Sequence, residues 1–158
     1  MVGESTSTSQ TEIKKLHEKE CLRERERTML KERIEEVTRV NELFYHAFES
    51  LDVGLMDSIW AHQEYVTCIH PGWSIRVGWP AVRDSWVVIF NNTFSMEFEL
   101  TELQVQVAAD IAWVICTENI ASRVGESPQN SRVVATNLFE RIGDEWKIIH
   151  HHGSPLME

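Results

Sequence analysis

Three histidines in a row, His150-His151-His152, lie in a segment that reads as a β-strand, and a fourth, His70, stands just before Pro71-Gly72. Imidazole exchanges a proton near neutral pH without a large shift, so these side chains are the first candidates for general acid–base chemistry. Alternate strand residues point to opposite faces, so His150 and His152 share one side and His151 takes the other. The run therefore does not gather into one metal site. Zinc would need His70 to join His150 and His152, with an acid such as Glu118, and that geometry is demanding enough that no metal is predicted. Glu118 sits among Ile115, Cys116 and Ile120, where a carboxylate needs a partner. Arg123 or Arg132 would make that partner structural; a pocket histidine would make Glu118 an orienting group. Its face is not fixed by the sequence.

Other chemistries are missing their residues. There is no Gly-rich phosphate loop, no Gly-x-Ser-x-Gly elbow and no Cys/His/acid arrangement at informative spacing, so no cofactor is predicted. The formal charge of −10 argues against nucleic acid and against an anionic membrane surface. The longest apolar runs, Trp86 to Phe90 and Ile111 to Cys116, fall far short of the ~20 residues a membrane helix needs. A polar N-terminus shows no signal peptide, and the three cysteines have neither metal nor redox spacing. Together these place the chain, as an expectation, in the cytoplasm with reduced thiols.

The elements that must position these groups follow from periodicity. Residues 1–12, rich in Ser, Thr and Gln, read as a disordered tail. From Lys14 to Arg33 thirteen of twenty residues are charged with mixed signs, which predicts a solvated helical extension over 13–33. A coiled-coil arm is the alternative, but Ile13, Leu16 and Leu22 keep no heptad. The domain proper then spans 34–158. Leu30, Ile34, Val37, Asn41, Phe44 and Phe48 step by four and three along one helix face. A short helix follows over Leu55 to Ala61, and a third over Trp79 to Asn92, with Pro80 in its first turn. Strands are expected at 65–70, 74–77, 96–107, 111–122, 132–142 and 145–152. The parity change between Leu100 and Leu103 marks a bulge or sharp bend.

Gly143-Asp144 reads as a two-residue hairpin turn, and counting outward from it pairs Glu140 with Lys147, Phe139 with Ile148 and Asn137 with His150. One face then carries Val133, Ala135, Asn137, Phe139, Trp146, Ile148, His150 and His152, under the helices. The other carries Val134, Thr136, Leu138, Ile142, Ile149 and His151 and needs its own cover, which predicts a homodimer through the outer sheet face.

With Ile69-His70-Pro71-Gly72-Trp73, Gly78-Trp79-Pro80-Ala81-Val82, Ala135 to Arg141 and Trp146 to Pro155 in this order, the chain resembles the nuclear transport factor 2-like superfamily. The likeness is to its SnoaL-like branch of polyketide cyclases and ketosteroid isomerase relatives, and it covers about Val37 to Pro155. The resemblance implies an α+β cone or barrel, three helices on a curved, bulged antiparallel sheet, enclosing a pocket. It also implies that His70 stands where the isomerases often carry a carboxylate, and that Tyr45 lies near the place of their carbonyl-polarising tyrosine.

Two functions are expected from different classes. In the first, the cone binds a small, mostly apolar organic molecule, a steroid-like or polyketide-like carbonyl compound. His70 would accept a proton, and Asn137 with His150 would steady the oxygen during isomerisation or cyclisation. Trp73, Trp86, Tyr45, Phe139, His152 and Glu118 would line the ligand. The structural alternatives are a turn-capping His70 and a mutually satisfied buried Asn137–His150 pair. In the second, the cone is a non-catalytic dimeric assembly or regulatory module.

Overall fold

Helix-forming periodicity in the first third of the chain produces one helix longer than the sequence pattern suggests. In the computed structural model, which describes residues 5–125 and 127–157, α1 runs Ser5–Glu49, followed by α2 (Val53–Ile59) and α3 (Trp79–Asn92). The tail expected to be disordered through residue 12 is helical from Ser5 on; residues 1–4 lie outside the described ones. Extending a nucleated helix through Ser, Thr and Gln costs only tenths of a kcal/mol per residue, roughly, because the nucleation step is not repeated. Contacts divide the chain after Arg33. Residues 10–32 expose every side of their helix, in keeping with the mixed charge.

Within 34–158 the buried stripe of α1 is Val37, Asn41, Phe44 and Phe48, joined by Tyr45, while Leu30 is exposed and lies outside it. Asp52 caps α2 by accepting the Leu55 N–H at 2.9 Å. Gly78, at φ 80°, turns the chain into α3, where Pro80 occupies the first turn.

The strands are β1 (Thr67–Ile69), β2 (Arg76–Val77), β3 (Ser95–Ala108), β4 (Ile111–Val124), β5 (Ser127–Ile142) and β6 (Glu145–Pro155), in sheet order β2-β1-β6-β5-β4-β3. Two features differ from the expected antiparallel barrel. β1 runs parallel to β6, so the sheet is mixed, and β2 and β3 remain as edges, so it is not closed. The four long strands form the antiparallel meander read from the sequence, and the parity change in β3 is a register shift between Thr101 and Gln104. There Glu102 takes φ 54°.

The largest correction lies in the last hairpin. Pairing follows the predicted count from Gly143-Asp144 through Phe139–Ile148, and then slips: Leu138 faces His150, Asn137 faces His151 and Thr136 faces His152. Ile149 is the extra residue of a bulge, and Ile148 and Ile149 both pack against the core. Strict alternation would have sent one of them out. Because side chains alternate with period two, one inserted residue moves every later side chain to the other face. His151 therefore turns inward, buried with Asn137, while His150 and His152 lie on the outer face with Thr136 and Leu138.

The space between helices and sheet is filled by aromatic rings. Phe44, Phe48, Trp86, Phe90 and Phe98 meet at centroid distances of 4.8–6.0 Å, half of the pairs edge to face and half tilted.

Candidate functional site

A string of hydrogen-bonded polar side chains crosses the inner face of the sheet. Glu118 of β4 accepts the Tyr45 hydroxyl at 2.7 Å. Cys116 Sγ lies 3.3 Å from the same oxygen, and Asn137 of β5 donates toward it at 3.5 Å. Asn137 Nδ2 also donates to Asn41 Oδ1 at 2.9 Å, so its Oδ1 is left to accept from His151 Nδ1 at 2.6 Å. None of Asn41, Tyr45, Glu118, Asn137 and His151 is more than 4% exposed. The helix supplies Asn41 and Tyr45 from successive turns (i, i+4), and the sheet supplies the rest from neighbouring strands, so the string depends on docking α1 across β4, β5 and β6.

Burial sets its electrostatics. Glu118 is raised to about 7 by desolvation, partly offset by the Tyr45 hydrogen bond. Desolvation and the nearby Glu118 push the Tyr45 hydroxyl well above its ordinary value. His151 is driven well below the usual imidazole value by burial, then by the neighbouring His70. At neutral pH Glu118 is thus the one member of the string poised to gain or lose a proton.

His70 stands at the far end of this string, its ring centroid 6.3 Å from that of His151. Ser85 gives its own proton to the Val82 carbonyl at 2.6 Å, so its oxygen accepts from His70 Nε2 at 2.8 Å. The ring stands edge-on to Trp86 at 4.5 Å and to Trp73 at 5.2 Å, and burial followed by Arg76 lowers its pKa to about 4. Trp86, with no exposed surface, fills the space beside His70 and His151. Its indole N–H has no hydrogen-bond partner among the described residues. Pro71 closes the other side by lying on Gly153, where an added Cβ would meet the proline ring at 3.1 Å and Val133 at 3.0 Å.

Beyond Pro71 the concave face opens into a cleft of about 880 Å³. Register places Phe98, Ile120, Ser131 and Val133 on the inner face along its floor, with Pro71, Pro155 and Leu156 as a wall. Glu118 pairs directly with Val133 and lies two residues from Ile120, immediately behind this floor. The cleft is thus apolar along most of its floor and wall, with Glu97, Glu99, Asn119, Asn130 and Arg132 also lining it, and the buried Glu118 lies next to the floor without itself lining the cleft.

The structure brings Tyr45, Glu118 and Asn137 together as predicted candidates. It does not bring His70, His150 or His152 to them. His150 lies on the outer face, with Nδ1 2.6 Å from Thr67 Oγ1, and His152 is exposed there. The expected Asn137–His150 contact is replaced by Asn137–His151, for the reason given by the bulge. Phe139 and Trp86 are core residues, and Trp73 lies half-buried beside His70 with Arg76 5.3 Å over its ring. Sequence reasoning missed His151, Asn41 and Ser85. Asn41 carried a signal, since it interrupts an otherwise apolar helix stripe. Among the described residues no group of three or more His, Cys, Asp or Glu could hold a metal ion, and no helix is long and apolar enough to cross a membrane.

Comparison with known proteins gives a consistent picture. The model of the SnoaL-like domain matches residues 37–158. A solved structure from Streptomyces avermitilis, provisionally assigned as a dehydratase of the nuclear transport factor 2-like family, is 38% identical. The match covers 81% of this chain and 99% of that one with a TM-score of 0.76. A Thiobacillus denitrificans structure, provisionally assigned as a calcium/calmodulin-dependent protein kinase type II association domain, is 29% identical over 75% of this chain and 93% of its own, with a TM-score of 0.64. The F-box protein SKIP8 of Arabidopsis thaliana is 27% identical over 121 residues, 77% of this chain. The chain spans about half the length of that protein.

Proposed function

Given that the chain belongs to the SnoaL-like domain family, within the nuclear transport factor 2-like superfamily, we propose that its concave cleft binds a small, mostly apolar organic molecule of steroid or polyketide size. The observation that carries this reading is the Glu118–Tyr45 pair directly behind an open apolar floor. A pocket of several hundred Å³ with apolar walls and few convergent polar groups is the usual form of a small-molecule site. A carboxyl group left unpaired by any cation costs stability, and it is retained here beside a hollow of ligand size.

Any chemistry then falls to Glu118, whose buried carboxyl can take or give a proton near neutral pH, with Tyr45 orienting it. His70 is assigned a structural part, because its Nε2 is held by Ser85 and Trp86 and Pro71 close its compartment. This reading is tested by titrating the protein with a steroid ketone and an aromatic polyketide ketone. Saturable binding that is lost when Val133 is replaced by Trp, in a variant that still unfolds cooperatively, supports it; binding unaffected by a filled floor sinks it.

A second copy is proposed to cover the outer face. Trp113, Ile115, Val134 and Leu138 form one partly buried apolar surface there, with His150 and His152 beside it. Sedimentation should give twice the chain mass, and the Val134→Glu, Leu138→Glu double variant should sediment as a monomer. This face also suits the non-catalytic assembly reading, which the likeness to the kinase association domain favours.

A further inference from the structure

We propose that the polar end of the ligand buried in the concave cleft is a protonated nitrogen, so that the site takes a lipophilic amine in preference to the ketone or carboxylic acid of the same skeleton. The inference rests on the cleft being a ligand site and names the class of ligand. Glu118 is 3% exposed, and only its Oε1 has a hydrogen bond, from Tyr45. No described residue donates to Oε2. The groups packed around the carboxyl supply no countercharge. Tyr45 comes from α1 and Cys116 from β4, while the cross-strand partners are Leu100 on β3 and Val133 on β5. All four are uncharged at neutral pH. Among the residues lining the cleft, the single cation is Arg132, which donates to Asn119 Oδ1 at 3.3 Å. Two further acidic residues, Glu97 and Glu99, also line it.

An ammonium group would supply the charge that this arrangement lacks, and its hydrogen bond to an ionised carboxylate is stronger than one between neutral groups. An anion would meet the Glu118 carboxylate with no cation on the same face of the sheet, because Glu97, Glu99 and Arg132 alternate with the inner-face residues and point the other way. A ketone needs Glu118 in its protonated form to receive a hydrogen bond from it, whereas an amine pairs with the ionised form. Raising the pH through neutrality therefore strengthens amine binding and weakens ketone binding.

The test uses three probes on one steroid skeleton, bearing an amine, a ketone or a carboxylate at the same carbon, titrated calorimetrically into the full chain. At pH 7.5 the amine is expected to bind about tenfold tighter than the ketone, the size of one charge-assisted hydrogen bond, with the carboxylate weakest. Glu118→Gln should remove the amine's advantage and leave the ketone. A second variant, Ser131→Lys, places a cation on the exposed inner-face position opposite Ile120 and should weaken the amine and strengthen the acid. A ketone or acid that binds as tightly as the amine, or a preference unchanged in both variants, overturns the inference. Equal binding of all three, with Ile120 and Val133 methyl resonances shifting, overturns the inference alone. If no probe binds, the reading of the cleft falls with it.

Discussion

His151 Nδ1 lies 2.6 Å from Asn137 Oδ1 in the core, while the histidines on either side of it face the opposite surface of the sheet. One inserted residue, Ile149, accounts for both facts. The first prediction follows from this asymmetry. His151→Ala leaves a cavity and strands the Asn137 oxygen, and should cost about 2–4 kcal/mol. His152→Ala, at an exposed position, should change stability by less than about 0.5 kcal/mol. Urea unfolding of the two variants measures the contrast directly, and the reverse order would restore the unbulged register.

The same hairpin shows what could be read from the amino-acid sequence. Gly143-Asp144 announced the turn, and the pairing of Glu140 with Lys147 and Phe139 with Ile148 followed by counting. The count failed beyond Ile148 because two adjacent isoleucines are compatible with either alternation or a bulge, and only packing against the core decides. In β3 the bulge was legible, since the apolar pattern itself changed parity there. The fold was thus readable almost throughout. The site was readable only in part, because which histidine enters the core depends on one residue of register.

Stability against pH should separate Glu118 from the buried histidines. Glu118 keeps its proton to about pH 7 in the fold but only to its ordinary 4.5 when unfolded. The folded state therefore binds more protons between these values, and Glu118 makes stability fall as pH rises through them. His70 behaves oppositely, being lowered from 6.5 to about 4, and His151 is lowered as well; their contribution is lost as pH falls below about 6.5. Glu118→Gln should therefore be more stable than the parent at pH 8, by on the order of 1–3 kcal/mol, with the difference shrinking toward pH 4.5. It should also lose stability more steeply with acid between pH 6.5 and 4.5. Parallel stability curves for the two proteins would contradict the placement of Glu118.

Gly153 is required by Pro71. A methyl group at Gly153 meets the proline ring and Val133 at 3.0–3.1 Å, so Gly153→Ala should destabilise by roughly 1–3 kcal/mol through overpacking. Removing part of the obstruction with Pro71→Ala should recover some of that loss in the double variant. Additive costs in the double-mutant cycle would show that the two residues do not bear on one another.

Everything functional depends on the inner face of β4 and β5 being where a ligand sits. Methyl and carboxyl NMR of the protein, with a steroid ketone added to saturation, tests this most directly. The account predicts shifts at Ile120, Val133 and the Glu118 carboxyl, with Ile115, Val134 and Leu138 on the outer face unmoved. Shifts confined to the outer-face residues, or none at all with this probe and its amine counterpart, would contradict it.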